Sequence, residues 1–352
     1  MKIALLTIWK EKNYGAEMQA YATIKALKQM GHSVVMINYL LGELDHPTTK
    51  QRIIRFISTF CRDTKKFNRF WRKYIPTTCH YHTLSELKND PPQADYYIVG
   101  SDQVWNPEIT KDKAVAYFLD FGDNQTKRIS YASSFGTKEW NEPEELTVIA
   151  KKRLQSFSAV SCRETDGVNI LRNTFNIDAV NVVDPTLLHD GYPELTGPII
   201  QRKTLAFYPL SPFPELESFC KELADDLGLQ YHNINKKKYL VRRIVWDRPS
   251  VEEWVKSIAG ADLVVTPSFH GLAFSLIYQR QFVIIQNPDG KGKSSRITNL
   301  LASLGLSNRF FTSIEEANRA RVWEQPIDYS IVQPKLKQLR DYSLDFLKHS
   351  IR

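Results

Sequence analysis

Residues 263–278 have the sequence Leu-Val-Val-Thr-Pro-Ser-Phe-His-Gly-Leu-Ala-Phe-Ser-Leu-Ile-Tyr. The pattern predicts a buried strand, a sharp turn and then a helix, with His270 and Gly271 at the junction. In an open α/β sheet, ligands bind beyond the carboxyl ends of the strands, where helix N-termini attract anions. Two interpretations follow: an anion site that contains His270, or a turn whose histidine only forms hydrogen bonds.

Alternating strands and helices are predicted on both sides of this stretch, which is typical of a parallel sheet covered on both faces. The predicted fold is α/β, with two Rossmann-like domains that face a cleft. We expect an N-terminal domain over 1–195 with a basic helical excursion at about 42–90. A C-terminal domain over 196–330 follows, and a helix within 331–352 is expected to cross back to the first domain.

Composition sets broad limits on the class of protein. The 352 residues are 42% hydrophobic and 24% charged, as in ordinary globular proteins, and this length suits two domains. No apolar run is long enough to span a bilayer, and residues 1–9 are expected to form the first strand and not a signal peptide. The cysteines at 61, 79, 162 and 220 have neither metal-ligand nor disulfide-framework spacing. We therefore expect a cytoplasmic location.

The positive charge is concentrated in residues 50–73. The formal net charge is +8, and this segment carries nine basic residues and one acid, Asp63, so the remaining residues sum to zero. Apolar residues at helix-like spacing predict a basic amphipathic helix. Two interpretations stay open: peripheral contact with an anionic membrane, or packing on its own domain with the basic face in solvent. No nucleic-acid-binding motif accompanies the charge, so no nucleic-acid partner is expected.

Two loops that follow predicted strands in the first half carry polar side chains. Gly15 lets the backbone approach a ligand at a helix N-terminus. Asp102, just after the strand at 96–99, is a candidate general acid or base. The neighbouring side chains could bind a sugar or phosphate, or could only build turns. The candidates for acceptor or anion binding are Asn13, Gly15, Ser101, Gln103 and Asn106.

Basic residues after two further strands are candidates for binding an anion. Arg163 follows the strand at 159–161, and its planar guanidinium suits a carboxylate or a phosphate, although pairing with a local acid is the alternative. Lys293 and Arg296 lie in and beside a basic loop after a later strand. Metal-binding and serine-hydrolase motifs do not occur, so no metal is expected.

In this order, the loops resemble those of the polysaccharide pyruvyl transferase family. The resemblance implies a fold like that of the GT-B glycosyltransferases, which have two Rossmann-like domains. The matching stretches are Asn13-Tyr-Gly-Ala with Gln19-Ala-Tyr21, Val99-Gly-Ser-Asp-Gln-Val-Trp-Asn106, Ser130-Tyr-Ala-Ser-Ser-Phe-Gly136, Ser161-Cys-Arg-Glu164, Val183-Asp-Pro-Thr186, Ser268-Phe-His-Gly271 and Ser295-Arg296.

The resemblance also implies an activity. Phosphoenolpyruvate would be the donor substrate, with no cofactor, and the product would be a pyruvate ketal on two sugar hydroxyls of a cell-surface polysaccharide such as a capsule or an exopolysaccharide. The acceptor would be a sugar or a lipid-linked or nucleotide-linked oligosaccharide. His270 corresponds to the family's histidine and is the candidate acid or phosphate contact, and Asp102 is the candidate base. The donor-binding candidates are Arg163, Ser268, Gly271, Arg296 and Lys293.

One position departs from some relatives, which have Arg-Leu-His-Gly where this chain has Ser268. Arg296 or Lys293 is expected to substitute for the missing cation, and the identity of the donor stays open. Two other functions stay open from the sequence. One is a nucleotide-sugar-dependent glycosyltransferase of the same architecture, and the other is a non-enzymatic anion-binding or membrane-associated scaffold built around residues 50–73.

Overall fold

The computed structural model describes residues 1–41, 62–236, 238–240, 245–286 and 295–352. Contacts divide these residues into two compact units. The first contains residues 1–41, 68–188 and 339–352, and the second contains the described residues of 62–67 and 189–338.

The first unit is built on a five-stranded parallel sheet with the strand order β3-β2-β1-β4-β5. Residues 3–6 of the central strand are at most 1% exposed, and burial of such apolar side chains stabilises the fold by about 1.5–3 kcal/mol each. A short parallel pair, β6 and β7, also lies in the described part of this unit. The strands are β1 (Lys2–Leu6), β2 (Ser33–Tyr39), β3 (Thr77–Tyr81), β4 (Tyr96–Val99), β5 (Lys127–Ser130), β6 (Ser161–Cys162) and β7 (Val180–Asn181).

Helices connect these strands, as parallel pairing requires. The first begins where the Asn13 side chain accepts a hydrogen bond from the Gly15 N–H. The helices from α1 to α7 are α1 (Tyr14–Gln29), α2 (Arg62–Tyr74), α3 (Leu84–Asn89), α4 (Pro107–Thr110), α5 (Ala114–Tyr117), α6 (Glu144–Leu154) and α7 (Thr165–Ile170).

The second unit contains a five-stranded parallel sheet with the order β14-β13-β12-β8-β9, together with an antiparallel β10–β11 pair. Its strands are β8 (Thr204–Phe207), β9 (Gln230–Asn233), β10 (Lys238–Leu240), β11 (Val245–Asp247), β12 (Leu263–Thr266), β13 (Gln281–Ile285) and β14 (Phe310–Phe311). The remaining helices are α8 (Pro193–Thr196), α9 (Pro214–Asp226), α10 (Val251–Ala259), α11 (Phe269–Ile277), α12 (Ser295–Leu304), α13 (Ile314–Ala320) and α14 (Tyr329–Ser350).

The predicted α/β class with two Rossmann-like domains is confirmed, and two local predictions differ from the structure. The sequence placed His270 and Gly271 at the junction before the helix, whereas both lie in the first turn of the helix, which begins at Phe269 because the Ser268 side chain accepts a hydrogen bond from the Gly271 N–H and caps it. The excursion expected to be helical contains an edge strand, β3, between two helices. Its side chains alternate in exposure, and Met36 of β2 donates a backbone hydrogen bond to the carbonyl of Pro76.

The basic helix α2 packs its apolar face within the fold. Phe67, Phe70 and Trp71 are at most 7% exposed, while Arg69, Arg72 and Lys73 are exposed. Residues 50–61 of the basic segment lie outside the described residues. Across the described ranges, no helix is both long and apolar enough to cross a membrane.

Candidate active site

The candidate residues follow strands at the points where the strand order of each sheet reverses. In the first sheet, β1 and β4 are neighbours, and their loops lead to Asn13 and to residues 101–106. In the second sheet, β8 and β12 are neighbours, and the β12 loop leads to His270. Such reversal points open a crevice at the carboxyl edge of a doubly wound sheet, where ligands bind.

Arg163 lies at the centre of a buried polar cluster in the first unit. Its Nη1 donates to Asp184 at 2.9 Å and its Nη2 donates to Asp102 at 2.8 Å. Its Nε lies 3.8 Å from a carboxylate oxygen of Glu164. The Arg163 side chain is 1% exposed, and of the three acids only Asp102 has appreciable exposure, at 19%. Arg163 is therefore paired with acidic side chains, which is the alternative that the sequence left open for it.

The charge of Arg163 is maintained by its acidic neighbours. Burial alone would lower the pKa of the guanidinium, but Asp102, Asp184 and Glu164 together raise it. Three carboxyl groups around one guanidinium give the cluster an acidic excess. Direct contact between Arg163 and a donor anion would require Asp102 to release Nη2.

Ser101 links this cluster to the loop after β1. Its hydroxyl donates to Asp184 at 3.3 Å, and its backbone N–H donates to the Gln19 side chain at 3.2 Å. The Gln19 amide in turn donates to the carbonyl of Ile8 at 2.9 Å. This buried network fixes the ends of two neighbouring strands together.

The four other candidates for acceptor or anion binding take part in local structure. Asn13 caps α1, as described above. The Asn106 side chain accepts a hydrogen bond from the Glu108 N–H at 3.1 Å and donates to Gln103 at 2.8 Å. Gly15 is buried in the first turn of α1. Asn13 is exposed and Gln103 is partly exposed, so these two side chains retain access to solvent.

The His270 turn in the second unit is buried around one partly exposed residue. His270 is partly exposed in the first turn of α11, while Ser268 is 3% exposed and serves as the helix cap. A Cβ on Gly271 would lie 2.7 Å from Thr266 Cγ2. Gly271 therefore allows α11 to pack closely against the end of β12.

Arg296 lies beside Phe269, the first residue of α11. Its guanidinium lies 5.6 Å from the centre of the Phe269 ring, and the rings of Phe269 and His270 meet edge to face at 5.4 Å. Phe269 thus brings a guanidinium and an imidazole into one neighbourhood at the start of α11. Lys293 lies outside the described residues.

Several residues of these networks were not singled out from the sequence. Asp184 and Glu164 lie inside quoted motifs, and their position after short strands beside an arginine is the signal that identifies them. Glu17 was missed altogether. It is 0% exposed and accepts hydrogen bonds from Trp71 Nε1 at 2.6 Å and from the backbone N–H of Lys12 at 3.2 Å. Burial raises the pKa of Glu17 to about 8, against the lowering effect of these donors.

Metal chemistry has no candidate ligand set in the part of the chain that the structure describes, where no three His, Cys, Asp or Glu side chains are grouped to hold an ion.

Solved structures with a similar fold include enzymes of nucleotide-sugar metabolism. A UDP-N-acetylglucosamine 2-epimerase from Rickettsia bellii is 10% identical with a TM-score of 0.53, over 99% of this chain and 96% of that one. MnaA from S. aureus, solved with UDP, is 8% identical with a TM-score of 0.52, over 99% and 96%. The UDP-GlcNAc 2-epimerase from Methanocaldococcus jannaschii is 10% identical with a TM-score of 0.50, over 97% and 100%. At these identities the likeness is one of fold, and it confirms the GT-B-type architecture.

A comparison with curated protein sequences finds no match. The family model for polysaccharide pyruvyl transferase, in contrast, matches residues 13–289. This range runs from the cap of α1 past the end of β13, and it includes both the Arg163 cluster and the His270 turn. Because the match covers well over half of the chain, the protein belongs to the polysaccharide pyruvyl transferase family.

Proposed function

We propose that the protein transfers the enolpyruvyl group of phosphoenolpyruvate onto two hydroxyls of a sugar and closes a pyruvate ketal there. The observation that carries the proposal is the family match over residues 13–289, within which His270, Arg163 and Asp102 all fall. The product would enter a cell-surface polysaccharide such as a capsule or an exopolysaccharide.

The proposed reaction sets three chemical demands. A proton is added to the methylene carbon of phosphoenolpyruvate, and one sugar hydroxyl attacks the adjacent carbon. Inorganic phosphate leaves, and a second hydroxyl then closes the ketal. The two hydroxyl protons are lost, one proton is gained by carbon, and the other leaves with phosphate. The site therefore needs an acid, a base and stabilisation of the departing phosphate.

In the second unit, we assign the donor side of the reaction to the start of α11. His270 is the proposed acid or phosphate contact, because it is partly exposed at a helix N-terminus, where the unpaired N–H groups favour an anion. Arg296 is the proposed second cation, and Lys293 stays a further candidate. Ser268 and Gly271 act on the donor through the backbone geometry of the capped turn.

In the first unit, we assign the acceptor side to Asp102. It is the most exposed of the three carboxylates in the Arg163 cluster. One of its oxygens accepts a hydrogen bond from Arg163 Nη2. We propose that Arg163 positions Asp102 to accept a proton from a sugar hydroxyl, in place of the direct donor contact expected from the sequence. Asn13, Ser101, Gln103, Asn106 and Gly15 remain candidates for the acceptor side.

The test is incubation of the purified chain with phosphoenolpyruvate and a panel of free, nucleotide-linked and lipid-linked sugars. We expect phosphate release to be matched by acceptor molecules that gain the mass of one pyruvate ketal. His270→Ala, for which a much lower rate is expected, is measured beside the unchanged protein. Phosphate release without a gain in acceptor mass, or no release with any acceptor, would contradict the proposal.

A nucleotide-sugar-dependent glycosyltransferase is the second candidate, because the structural neighbours named above include UDP-sugar enzymes. Thermal unfolding distinguishes the two. Phosphoenolpyruvate should raise the melting temperature if the first proposal holds, whereas UDP and not phosphoenolpyruvate should raise it under the second. A cytoplasmic location, and a lipid-linked acceptor reached from the inner face of the membrane, stay predictions of the first proposal.

A further inference from the structure

The loop between β1 and α1 carries an exposed cation, Lys10, beside two buried indole rings. Lys10 Nζ lies 5.8 Å from the centre of the Trp9 ring and 5.6 Å from that of Trp71. These rings are 3% and 7% exposed, and they meet edge to face with their centres 6.4 Å apart. Lys10 Nζ forms no ion pair with any residue that the structure describes. The two rings therefore support an ammonium group that has no counter-ion among these residues.

The two indole N–H groups differ in their hydrogen bonding. Trp71 Nε1 donates to the Glu17 carboxyl group at 2.6 Å. Trp9 Nε1 is buried and has no hydrogen-bond partner in the described part of the chain. A buried indole N–H usually has an acceptor, because leaving it unpaired is costly. Trp9 Nε1 and Lys10 Nζ are thus two donors without an acceptor on consecutive residues, a combination that suits a negatively charged oxygen.

A buried acid holds the backbone of this loop in place. Lys10 and Lys12 have φ angles of 64° and 53°, in the left-handed region that residues other than glycine rarely adopt. Their backbone N–H groups donate to Glu17 at 3.4 Å and 3.2 Å. Glu17 therefore stabilises the backbone that presents Lys10 and does not pair with its ammonium group. The other nearby acid in the sequence is Glu11, so residues 9–16 contain two lysines against one acid.

The position of the loop points to the acceptor side of the proposed reaction. It joins β1, the central strand of the first sheet, to the Asn13 cap of α1. The neighbouring strand β4 leads to the loop that contains Asp102, the proposed base. The N-terminus of α1, a helix of 16 residues, favours an anion at this edge of the sheet.

We infer that Lys10 and Trp9 bind a phosphate group that is attached to the acceptor sugar. A phosphate offers several charged oxygens, so one group can accept hydrogen bonds from both side chains. The inference rests on the proposed function, because it takes a sugar acceptor to bind at the first unit. It adds that this acceptor carries the diphosphate that joins a sugar to a nucleotide or to a lipid.

Isothermal titration calorimetry without phosphoenolpyruvate tests the inference. Three probes contain a diphosphate: inorganic pyrophosphate, UDP-N-acetylglucosamine, and N-acetylglucosamine joined by a diphosphate to a short isoprenyl chain. Free N-acetylglucosamine and glucuronic acid contain none. Lys10→Gln removes the charge and Lys10→Arg keeps it, while Lys138→Gln removes an exposed charge elsewhere in the same unit. Trp9→Phe keeps an aromatic ring and removes the unpaired N–H. Thermal melting confirms that each variant is folded.

We expect the unchanged protein and Lys138→Gln to bind at least one diphosphate probe with equal affinity. Lys10→Gln should bind the same probe about tenfold more weakly, as for the loss of a hydrogen bond to a charged group. Lys10→Arg should bind it more tightly than Lys10→Gln, and Trp9→Phe should bind it more weakly than the unchanged protein. Whether the nucleotide-linked or the lipid-linked probe binds more tightly identifies the source of the diphosphate.

Equal affinities of Lys10→Gln and the unchanged protein for every diphosphate probe, or no binding of any of them, would overturn the inference. Loss of binding in His270→Ala but not in Lys10→Gln would also overturn it, because the phosphate would then belong to the second unit. Binding of glucuronic acid alone that depends on Lys10 would indicate a carboxylate ligand, with the same consequence. None of these titrations requires turnover, so failure of this inference and failure of the proposed activity are separable.

Discussion

The Arg163 cluster and the His270 turn both follow buried parallel strands, yet they differ in burial and in charge. In the first, three carboxyl groups surround a guanidinium that is 1% exposed. In the second, an imidazole and a guanidinium flank Phe269, and residues 263–286 contain no Asp or Glu. An acid-rich cluster suits a site that removes protons from hydroxyls, whereas a cationic helix start suits one that binds phosphate. Substitutions in the first region should therefore mainly lower the stability of the protein, whereas substitutions in the second should mainly lower its activity.

The largest expected effect is on the stability of the first region. Arg163→Met should lower the free energy of unfolding by about 3–5 kcal/mol, because Asp184, which is fully buried, would lose its cation. Denaturant unfolding at neutral pH measures this. Arg153→Met is the matched control. Arg153 pairs with Asp120, and its side chain is 29% exposed. Because Lys88 remains paired with Asp120, Arg153→Met should lower the free energy of unfolding by under about 1 kcal/mol. Similar unfolding midpoints for the two variants would show that the cluster is not a structural ion pair.

A pH profile tests Glu17, a buried acid of the first unit outside the Arg163 cluster. The folded-state pKa of Glu17 is about 8 and its reference value is 4.5, so the folded chain keeps a proton that the unfolded chain loses between these values. The contribution of Glu17 to stability should therefore be complete below about pH 4.5, fall as the pH rises towards 8, and level off above that, by on the order of 5 kcal/mol.

Glu17→Gln should remove most of this slope, and thermal unfolding across the pH range measures it. Exposed Glu145→Gln should leave the slope unchanged. Glu17 accepts hydrogen bonds from the Trp71 indole and from backbone N–H groups, whereas Asp184 is paired with the guanidinium of Arg163. An identical slope in the Glu17 variant and the unchanged protein would contradict the assignment.

Loss of chemistry without loss of structure is expected in the second region. His270→Ala should lower the rate of phosphate release from phosphoenolpyruvate by about a hundredfold or more, which corresponds to about 2.7 kcal/mol. Its melting temperature should change little, because the side chain is partly exposed. His232→Ala, at a partly buried histidine of β9 that contacts Ser257, should keep near-normal turnover. Normal turnover in the His270 variant would remove this residue from the mechanism.

How far the sequence predicted these regions depends on how local the determining interactions are. Alternating strands and helices were predictable, because burial periodicity is local. His270 could be placed after β12 for the same reason. The partners of Arg163 could not be predicted, because Asp102 lies 61 residues away from it and only tertiary packing brings them together. From the sequence, Glu17 is an ordinary acid in the first turn of a helix. Its burial could not be predicted, because it depends on packing against Trp71, which is 54 residues away.

The smallest expected effect is at Ser268, where the chain departs from relatives that carry a cation. The side chain caps α11 through the Gly271 N–H at 3.3 Å, so Ser268→Ala should cost about 1 kcal/mol of stability. Ser268→Thr, which keeps the hydroxyl, should cost less.

Ser268→Arg separates capping from charge. It loses the cap and places a cation at a helix N-terminus, which is unfavourable by about 0.3–1 kcal/mol, but it restores the basic residue of the relatives. If a cation at this position binds the donor, the KM for phosphoenolpyruvate should fall in the arginine variant despite its lower melting temperature. If Arg296 already fills that role, stability should fall and KM should stay constant, because the Arg296 guanidinium lies over Phe269, the residue next to the cap. Comparing the change in stability with the change in KM therefore tells whether the proposed donor contact depends on a cation in the turn or on Arg296 of helix α12.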